Sequence, residues 1–539
     1  MGRRSVVVGI LCACVLTAAM VLGGTTAFAA DYPKPRFPSY LKPPRSVEDL
    51  MPAARTAVRQ TGGMSPLGLA KPGQKVLILV PSNQEPMVVE AIIRAFKERG
   101  VDATVKYVYD LRGMTREQAI REVSYTGADG WLEIVVFNKD MVNYLPEQDQ
   151  RELRPRVERG LSSGQERQFL KRYLDANPHY DAIFAGGGGL TFWKRDLGPH
   201  GPKVIGVWIY KNAFVLNSRI PYYPADVWRS TEEKIIEPLA WVEEVRVTDP
   251  EGTDFRWKMT EPQAKIWANS AYSQNHLFLY PLQGTGRFPY SMKDFPAYQK
   301  DWLLPLVPDG AEGVIGGTSN HLGYFPHMLV HVKDGIIQRV EGGGRFGELI
   351  GKLLQNPKVR NTRYPYMPRP GYFYMMETAL GTNPKYFRPV SELQGDMWLA
   401  NSSERQASGV FHWGLGIEFG APDPDNKYFP FVRANKVPGS HSFHIHNLFA
   451  TYEVKIRGAG QWLKLVDRGR VVTLDSFEAR ALASRYGNPD EILKDDWRAD
   501  IPGINVPGDY KRDFAQDPWK YVNAQIQSIM SGRYAHFAP

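Results

Sequence analysis

The chain has 539 residues, of which 43% are hydrophobic, so it is long enough to form two or more domains with buried cores. Its 66 Lys and Arg residues exceed its 57 Asp and Glu residues, but they are spread along the whole length, which argues against nucleic-acid binding. Both cysteines, Cys12 and Cys14, lie in the first thirty residues, so the remainder excludes disulfides, cysteine nucleophiles and zinc–thiolate sites.

Residues 1–30 have the pattern of an export signal. Arg3 and Arg4 precede an apolar run at 6–22, and Ala-Phe-Ala-Ala at 27–30 is typical of a signal cleavage site. The apolar run is short for a membrane span and ends at the cleavage pattern, so we expect a secreted or periplasmic protein without a stable membrane anchor. The paired arginines indicate the twin-arginine route, which carries folded proteins with the cofactor already bound.

The next two segments differ in pattern. Residues 31–72, rich in Pro, Arg and Gly, predict an irregular N-terminal arm. In residues 73–244 apolar strands alternate with helical patterns: Lys75–Val80 is a continuous apolar strand, and Glu85–Arg99 has one apolar helical face. This alternation predicts an α/β domain with a mostly parallel sheet that helices cover. Further strands are predicted at 101–109, 131–137, 180–184 and 204–210.

From residue 245 the pattern becomes that of antiparallel strands. Residues 245–257 predict a strand, a turn and a second strand. We expect an α+β domain over 245–460, followed by a helical C-terminal extension over 461–539, with helices near 474–486 and 519–533. Polar and apolar residues also alternate near 328–332, 336–341, 410–415 and 451–456.

Histidines are concentrated in one part of the chain, where seven of the eleven lie between residues 321 and 446. His444 and His446 form a His-x-His pair, which on a strand points both rings to the same side. Because histidine is the commonest protein metal ligand, the clustering predicts a metal site. A packed core role is the alternative for His412, which Trp413 follows. His327 and His331 alternate with apolar residues, which favours structural roles, and His441 is expected to support a ligand or to lie in a loop. The role of His321 stays open.

Several short segments of the second half carry polar residues in fixed spacing. They are Val247-Thr-Asp-Pro-Glu-Gly-Thr-Asp, Pro308-Asp-Gly-Ala-Glu-Gly-Val, Val332-Lys-Asp-Gly-Ile-Ile, Glu377-Thr-Ala-Leu-Gly-Thr-Asn, His412-Trp-Gly-Leu-Gly and His444-Ile-His. In this order they resemble motifs of the metallo-aminopeptidases of the aminopeptidase T type, whose fold the ring-cleaving 2,5-dihydroxypyridine dioxygenases share. The resemblance covers residues 75–115 and 245–455, and it implies an aminopeptidase-T-like catalytic domain over 245–460.

The resemblance also implies which residues act. It places the metal ligands at Glu377, His412, His444 and His446, with Glu312 as a further member of the metal shell. It implies that Glu377 or Glu312 takes a proton during the reaction. One residue is inserted in the segment that holds Glu312, so that position matches the family motif less closely than the others.

Two departures from the family motifs favour one metal ion over two. Phe419 stands where the peptidases have a tyrosine that stabilises the tetrahedral intermediate, and His446 replaces a carboxylate. With one anionic ligand fewer, two adjacent divalent cations are poorly neutralised. Imidazole ligands suit Fe(II), Zn(II) or Cu(II) better than Mg or Ca. We therefore expect one divalent transition metal, Fe(II) in the first place and Zn(II) as the alternative.

These features lead to three hypotheses of function. The first is an exported mononuclear non-haem Fe(II) oxygenase, of the ring-cleaving dioxygenase type, acting on a small hydroxylated aromatic or pyridine ring. The alternative is a metal-dependent aminopeptidase or hydrolase, in which Glu377 is a ligand or the base. The third is a non-catalytic exported binding protein. In each case the partner is a small molecule, no nucleic acid is expected, and a homo-oligomer is compatible with the sequence.

Overall fold

A computed structural model describes most of the chain between residues 32 and 530. The described residues are 32–38, 40, 44–61, 65–80, 84–123, 127–136, 139–157, 163–186, 203–207, 210, 212–268, 276–280, 310–365, 367–387, 406–417, 427–439 and 442–530. The strands there are β1 (Lys75–Val80), β2 (Asp102–Tyr107), β3 (Ala182–Gly186), β4 (Lys203–Val207), β5 (Val242–Asp249), β6 (Thr253–Lys258), β7 (His276–Tyr280), β8 (Glu312–Ser319), β9 (Tyr324–Lys333), β10 (Ile336–Gly342), β11 (Met375–Gly381), β12 (Phe411–Leu415), β13 (Phe443–Asn447), β14 (Thr451–Ile456), β15 (Trp462–Asp467) and β16 (Arg470–Val471).

Helices connect and cover these strands. The α-helices of the described residues are α1 (Val47–Ala57), α2 (Pro86–Glu98), α3 (Val108–Leu111), α4 (Arg116–Val123), α5 (Glu133–Val136), α6 (Glu147–Val157), α7 (Ser163–Ala176), α8 (Ala213–Leu216), α9 (Ala225–Ile236), α10 (Glu261–Ala268), α11 (Gly344–Gln355), α12 (Pro357–Arg360), α13 (Tyr428–Asn435), α14 (Phe477–Ala483), α15 (Pro489–Ile492) and α16 (Pro518–Met530). Among the described residues we find no helix that combines the length and the apolarity needed to cross a membrane. The predicted export signal at 1–30 lies outside the described residues and stays a prediction.

The first four strands form a parallel sheet in the order β2-β1-β3-β4. Its central strand β1 is buried on both faces: Val76 and Ile78 join the main core, while Leu77 packs with Leu170 of α7 on the other side. Continuous apolar strands of this kind are expected in a sheet with helices on both faces. The prediction of a parallel sheet in this part of the chain is confirmed, whereas the predicted domain boundaries stay predictions.

One predicted strand of this region is a helical segment instead. Residues 131–137 were expected to extend the sheet, but the chain forms a 3₁₀ turn over Gly127–Leu132 and then α5. A short apolar run fits a strand and a buried helical turn equally well, so contacts made elsewhere in the fold decide. Here Glu133, Ile134 and Val135 are all buried, and α5 packs against β13.

Two antiparallel sheets make up the rest of the fold. The large sheet has the order β10-β9-β8-β6-β5-β14-β15-β16, and the small sheet has the order β13-β12-β11-β7. The sheets contact each other closely at Gly317 of β8, where an added Cβ would lie 2.5 Å from the Ile445 side chain of β13. The side-chain amide of Asn447 also links them, because it donates to the carbonyl of Gly316 and accepts from Trp413 Nε1.

The C-terminal extension begins with two strands before its helices. β15 and β16 add to the edge of the large sheet next to β14. Farther along, the extension contacts the segment after β11 through the buried Lys385 side chain, which donates to the carbonyls of Glu491 and Lys494 and to Asp496 Oδ1. Tyr40 of the N-terminal arm donates to the other oxygen of Asp496. Arm and extension therefore meet at the segment that follows the strand carrying Glu377.

Candidate metal centre

Three neighbouring strands of the small sheet bring the predicted ligands to one face. In one row across the strands Glu377 lies opposite Gly414, and Gly414 lies opposite His444. In the next row His412 lies opposite His446. Directly opposite residues of antiparallel strands point to the same side, so these four side chains share a face. Glu377, His412, His444 and His446 are all buried.

The glycine of the His-Trp-Gly segment makes room for this arrangement. A Cβ added at Gly414 would lie 2.7 Å from Cβ of Glu377, 2.8 Å from its Oε2 and 3.4 Å from His444 Nε2. The first two distances are too short for real contacts, and the groups on both sides are buried. The lack of a side chain at position 414 therefore lets Glu377 and His444 approach each other across β12.

Two further side chains reach the same face from elsewhere in the chain. His321 follows β8 and is buried, with its ring centroid 3.8 Å from that of His444. Glu133 lies at the start of α5 and is also fully buried. The sequence left the role of His321 open and gave Glu133 no role. The signal that could have singled out Glu133 is a lone carboxylate in an otherwise apolar run, because a buried carboxylate needs partners.

Glu133, His321, His412, His444 and Glu377 form a closed ring of contacts, the histidine–carboxylate ring. Glu133 Oε1 lies 2.6 Å from His444 Nδ1 and 3.2 Å from His321 Nδ1. Glu377 Oε2 lies 3.4 Å from His444 Nε2, and Glu377 Oε1 lies 3.3 Å from His412 Nε2. His412 Nδ1 and His321 Nε2, 3.3 Å apart, close the ring.

The charge of this ring suits a divalent cation. Three neutral imidazoles carry three N–H protons in total. One proton in each of the five contacts would make five, so the imidazoles would carry two extra protons and a charge of +2. The two carboxylates would balance those two positive charges. A divalent cation carries the same charge as the two extra protons, so it can replace them without leaving net charge in the buried site.

The pKa values show where the protons are held firmly and where they are not. Burial lowers the pKa of the His444 imidazole, but the Glu133 and Glu377 carboxylates outweigh burial and raise it to about 9. Burial also raises the pKa of Glu377, yet His412 and His444 hold that pKa well below its usual value. Burial depresses the pKa of His412 far below its usual value. His412 is therefore a neutral imidazole, the form that binds metals.

The nitrogen atoms of the ring are close enough for one metal ion. One nitrogen each from His321, His412 and His444 lies within 4.8 Å of the other two. Metal–nitrogen bonds of about 2.1 Å place two ligands at most about 4.2 Å apart, so small side-chain adjustments would bring all three onto one ion. Glu377 touches two of these imidazoles and would add an anionic ligand. The residues present thus fit a divalent transition metal.

The other predicted site residues have different surroundings. His446 is fully buried beside the ring, and its imidazole stacks on that of His412 with centroids 5.0 Å apart. Its role as a ligand stays a proposal. Glu312 lies at the start of β8 with an exposed side chain that pairs with Arg256 at 2.5 Å, so the structure does not bring it to the ring. Phe419 and His441 lie outside the described residues.

Two more histidines contact groups outside the ring. His327 Nε2 lies 2.6 Å from the carbonyl oxygen of Glu251. His331 lies on the same strand, β9, and its Nε2 is 3.2 Å from Glu341 on the neighbouring strand β10. These contacts lie outside the histidine–carboxylate ring, and the structural role expected of both residues stays a prediction.

Replacing Gly414 by Ala is expected to disrupt the ring. The added methyl group would push Glu377 away from His444, and overpacking of this kind costs about 1–3 kcal/mol of stability. We expect the variant to lose most of its bound metal in elemental analysis while its circular dichroism stays that of a folded protein. Gly351→Ala in α11 is the matched control, because an added Cβ there meets nothing within 4 Å. Equal metal content in both variants would contradict the steric role of Gly414.

Comparisons with known proteins give structural matches alone. No protein-family model matches the chain, and no curated protein does. A 2,5-dihydroxypyridine dioxygenase from Pseudomonas putida KT2440 matches with a TM-score of 0.39 and 13% identity, over 81% of this chain and 100% of that chain. AmpT from Thermus thermophilus matches with a TM-score of 0.34 and 14% identity, over 79% of this chain and 99% of that chain. Both groups that the sequence motifs resemble are thus among the matched structures.

Proposed function

We propose that this protein is a metal-dependent enzyme with its centre at the histidine–carboxylate ring. The observation that carries the proposal is the closed, buried arrangement of three imidazoles and two carboxylates. His412, His444 and Glu377 would hold one divalent transition metal, with His321 or His446 as a further ligand. Two histidines and one carboxylate are the ligand set of many non-haem Fe(II) oxygenases, so Fe(II) is our first choice and Zn(II) the alternative.

Glu133 has a distinct role in this proposal. It accepts the Nδ1–H of His444, which fixes the ring orientation and directs Nε2 toward Glu377. Metal-binding histidines commonly donate their other ring N–H to a carboxylate in this way. The Glu133 Oε2 atom is buried and has no hydrogen-bond partner among the described residues. Burial raises the pKa of Glu133, so this carboxylate is better suited to take up a proton than Glu377 is.

We further propose that the reaction is an oxygenation of a small hydroxylated aromatic or pyridine ring. When bound, Fe(II) would supply the redox chemistry for the use of dioxygen. Glu377 is ionised and in contact with two imidazoles, so its part is to hold the metal. The carboxylate of Glu133 would accept the proton of a substrate hydroxyl. Export of the folded, metal-loaded protein by the signal at 1–30 belongs to the same proposal.

Oxygen uptake tests the oxygenase proposal. Protein reconstituted with ferrous iron should consume dioxygen when dihydroxylated benzenes or pyridines are added, with iron near one equivalent per chain. His412→Ala should lose this uptake, whereas His331→Ala should retain it, because His331 lies outside the ring, with its Nε2 3.2 Å from Glu341. A wild-type protein that holds zinc tightly and consumes no oxygen with a broad panel of such rings would contradict the proposal.

A metal-dependent aminopeptidase or hydrolase is the second candidate. Glu133 favours this candidate, because it is a second buried carboxylate beside Glu377. Its negative charge would replace that of the carboxylate for which His446 stands in the family motif. Two cations would then be better neutralised than the sequence alone implied. The expected signs are two equivalents of zinc or cobalt and turnover of aminoacyl anilides. Because Phe419 cannot donate a hydrogen bond to an oxyanion, we expect such turnover to be slower by about 10²–10³ than with a tyrosine there.

A further inference from the structure

A second polar site lies between the N-terminal arm and the C-terminal extension. It is a cavity of about 260 Å³ whose lining contains no residue of the histidine–carboxylate ring. Arg36 of the arm contributes to it, and the other lining residues belong to the extension. Arg36 and Arg498 are also joined by backbone hydrogen bonds in both directions, so arm and extension hold the cavity together. The charged side chains that line it are Arg36, Arg470, Asp475, Arg480, Asp490, Lys494 and Arg498.

Five cations and two carboxylates line this cavity, and Asp495, buried beside it, adds a third carboxylate that Arg470 and Arg498 share. The two carboxylates are each already paired: Asp475 with Arg470 at 2.6 Å, and Asp490 with Arg480 at 2.9 Å. An arginine paired in this way still presents further N–H groups, because a guanidinium has five donors. The carboxylates of Asp475, Asp490 and Asp495 offset part of the charge of the five cations, and N–H donors remain in excess over carboxylate acceptors.

The remaining cations of the cavity have incomplete partners. Arg498 shares one oxygen of Asp495 with Arg470, and the buried Nε of Arg498 has no hydrogen-bond partner among the described residues. Arg36 Nη1 donates to the main-chain carbonyl of Asp495. Lys494 Nζ lies 3.8 Å from Glu491, beyond hydrogen-bond distance. Burial, and next the guanidinium of Arg498, lower the pKa of Arg36 by more than the carboxylates of Asp495 and Asp496 raise it.

We propose that this cavity binds a small oxyanion of the phosphate class. Guanidinium groups match the oxygens of phosphate with paired, charge-assisted hydrogen bonds, and Arg36, Arg498 and Lys494, which line the cavity, supply donors. The bound anion would join the N-terminal arm to the extension and relieve the repulsion among these cations. The ligand is inorganic phosphate or the phosphate group of a small ester, which have the same chemistry at this site.

Thermal unfolding and calorimetry of the full protein test the proposal. Inorganic phosphate should raise the unfolding midpoint more than sodium chloride does at the same ionic strength, and titration should give one saturable site. Lys494→Met changes an exposed side chain and should weaken phosphate binding about tenfold or more, since each charge-assisted hydrogen bond lost has an effect of that order. Arg36→Met should weaken it at least as much. Arg485→Met is the matched control, because Arg485 is exposed and does not line the cavity.

The outcomes separate this site from the metal centre and the two ligand sources from each other. Phosphate bound at the histidine–carboxylate ring would be retained in both cavity variants, so their loss of binding is specific to the cavity. Tighter binding of glycerol 3-phosphate than of inorganic phosphate identifies an ester as the ligand, and the reverse order identifies the free ion. Equal effects of phosphate and chloride, or unchanged binding in Lys494→Met and Arg36→Met, would overturn the proposal.

Discussion

Replacing His444 or His412 by Ala is expected to remove most of the bound metal from the purified protein. Both imidazoles contact Glu377 within 3.4 Å, and both offer a nitrogen within 4.8 Å of the others in the ring. Their loss should cost more affinity than the 10- to 100-fold typical of removing a hydrogen-bond partner of a metal ligand. Elemental analysis after dialysis against a weak chelator measures the effect, and activity should fall in proportion to the metal lost.

Elemental analysis of the bound metal also distinguishes the metal ligands from the residues that orient those ligands. Glu133→Gln keeps the shape but removes the charge that orients His444, so we expect a 10- to 100-fold loss of metal affinity, less than for the two histidines. A larger loss in His321→Ala than in His446→Ala would make His321 the further ligand, and the reverse result would select His446. His331→Ala is the control for loss of one histidine. Full occupancy in both His412→Ala and His444→Ala would show that the metal is not held here.

The part of the site that the sequence predicted is the part that local geometry determines. Residues two apart on a strand share a face, so His444 and His446 had to point to the same side. Glu377 and His412 were found through the motifs that contain them, on strands that proved to be neighbours. Gly414 was visible as part of a motif, but its steric reason needed the register that places it between Glu377 and His444.

What the sequence did not predict depends on contacts between distant segments. Glu133 lies more than three hundred residues before His444, in the run at 131–137 that propensity favours as a strand. The contact with His444 requires α5 to pack on β13, which no local pattern indicates. His321 lies beyond the end of β8, and it reaches the ring because β8 packs on β13. Both residues are thus placed by the stacking of sheets and helices rather than by spacing.

Replacing Lys385 by Met is expected to destabilise the protein by about 3–5 kcal/mol, the cost of breaking a buried ion pair from one side. The Lys385 side chain is 3% exposed, and the side chain of its partner Asp496 is 4% exposed. Lys385 donates to that carboxylate and to the carbonyls of Glu491 and Lys494, so Met would leave one buried carboxylate oxygen and two partly buried carbonyls without this donor. Asp496 would then keep its bond from Tyr40 but lose its cation.

The free energy of unfolding in urea measures this effect, and Lys171→Met is the control for loss of one lysine. Lys171 pairs with Asp175 on the surface, where an ion pair contributes at most about 1 kcal/mol. Adding Asp496→Asn to Lys385→Met should recover part of the loss, because the uncompensated buried charge is then gone. Equal stability of the two lysine variants would contradict the anchoring role. Lys385 follows the end of β11, the strand that carries Glu377. We therefore expect Lys385→Met also to weaken metal binding. Such an effect would link the C-terminal extension to the metal centre.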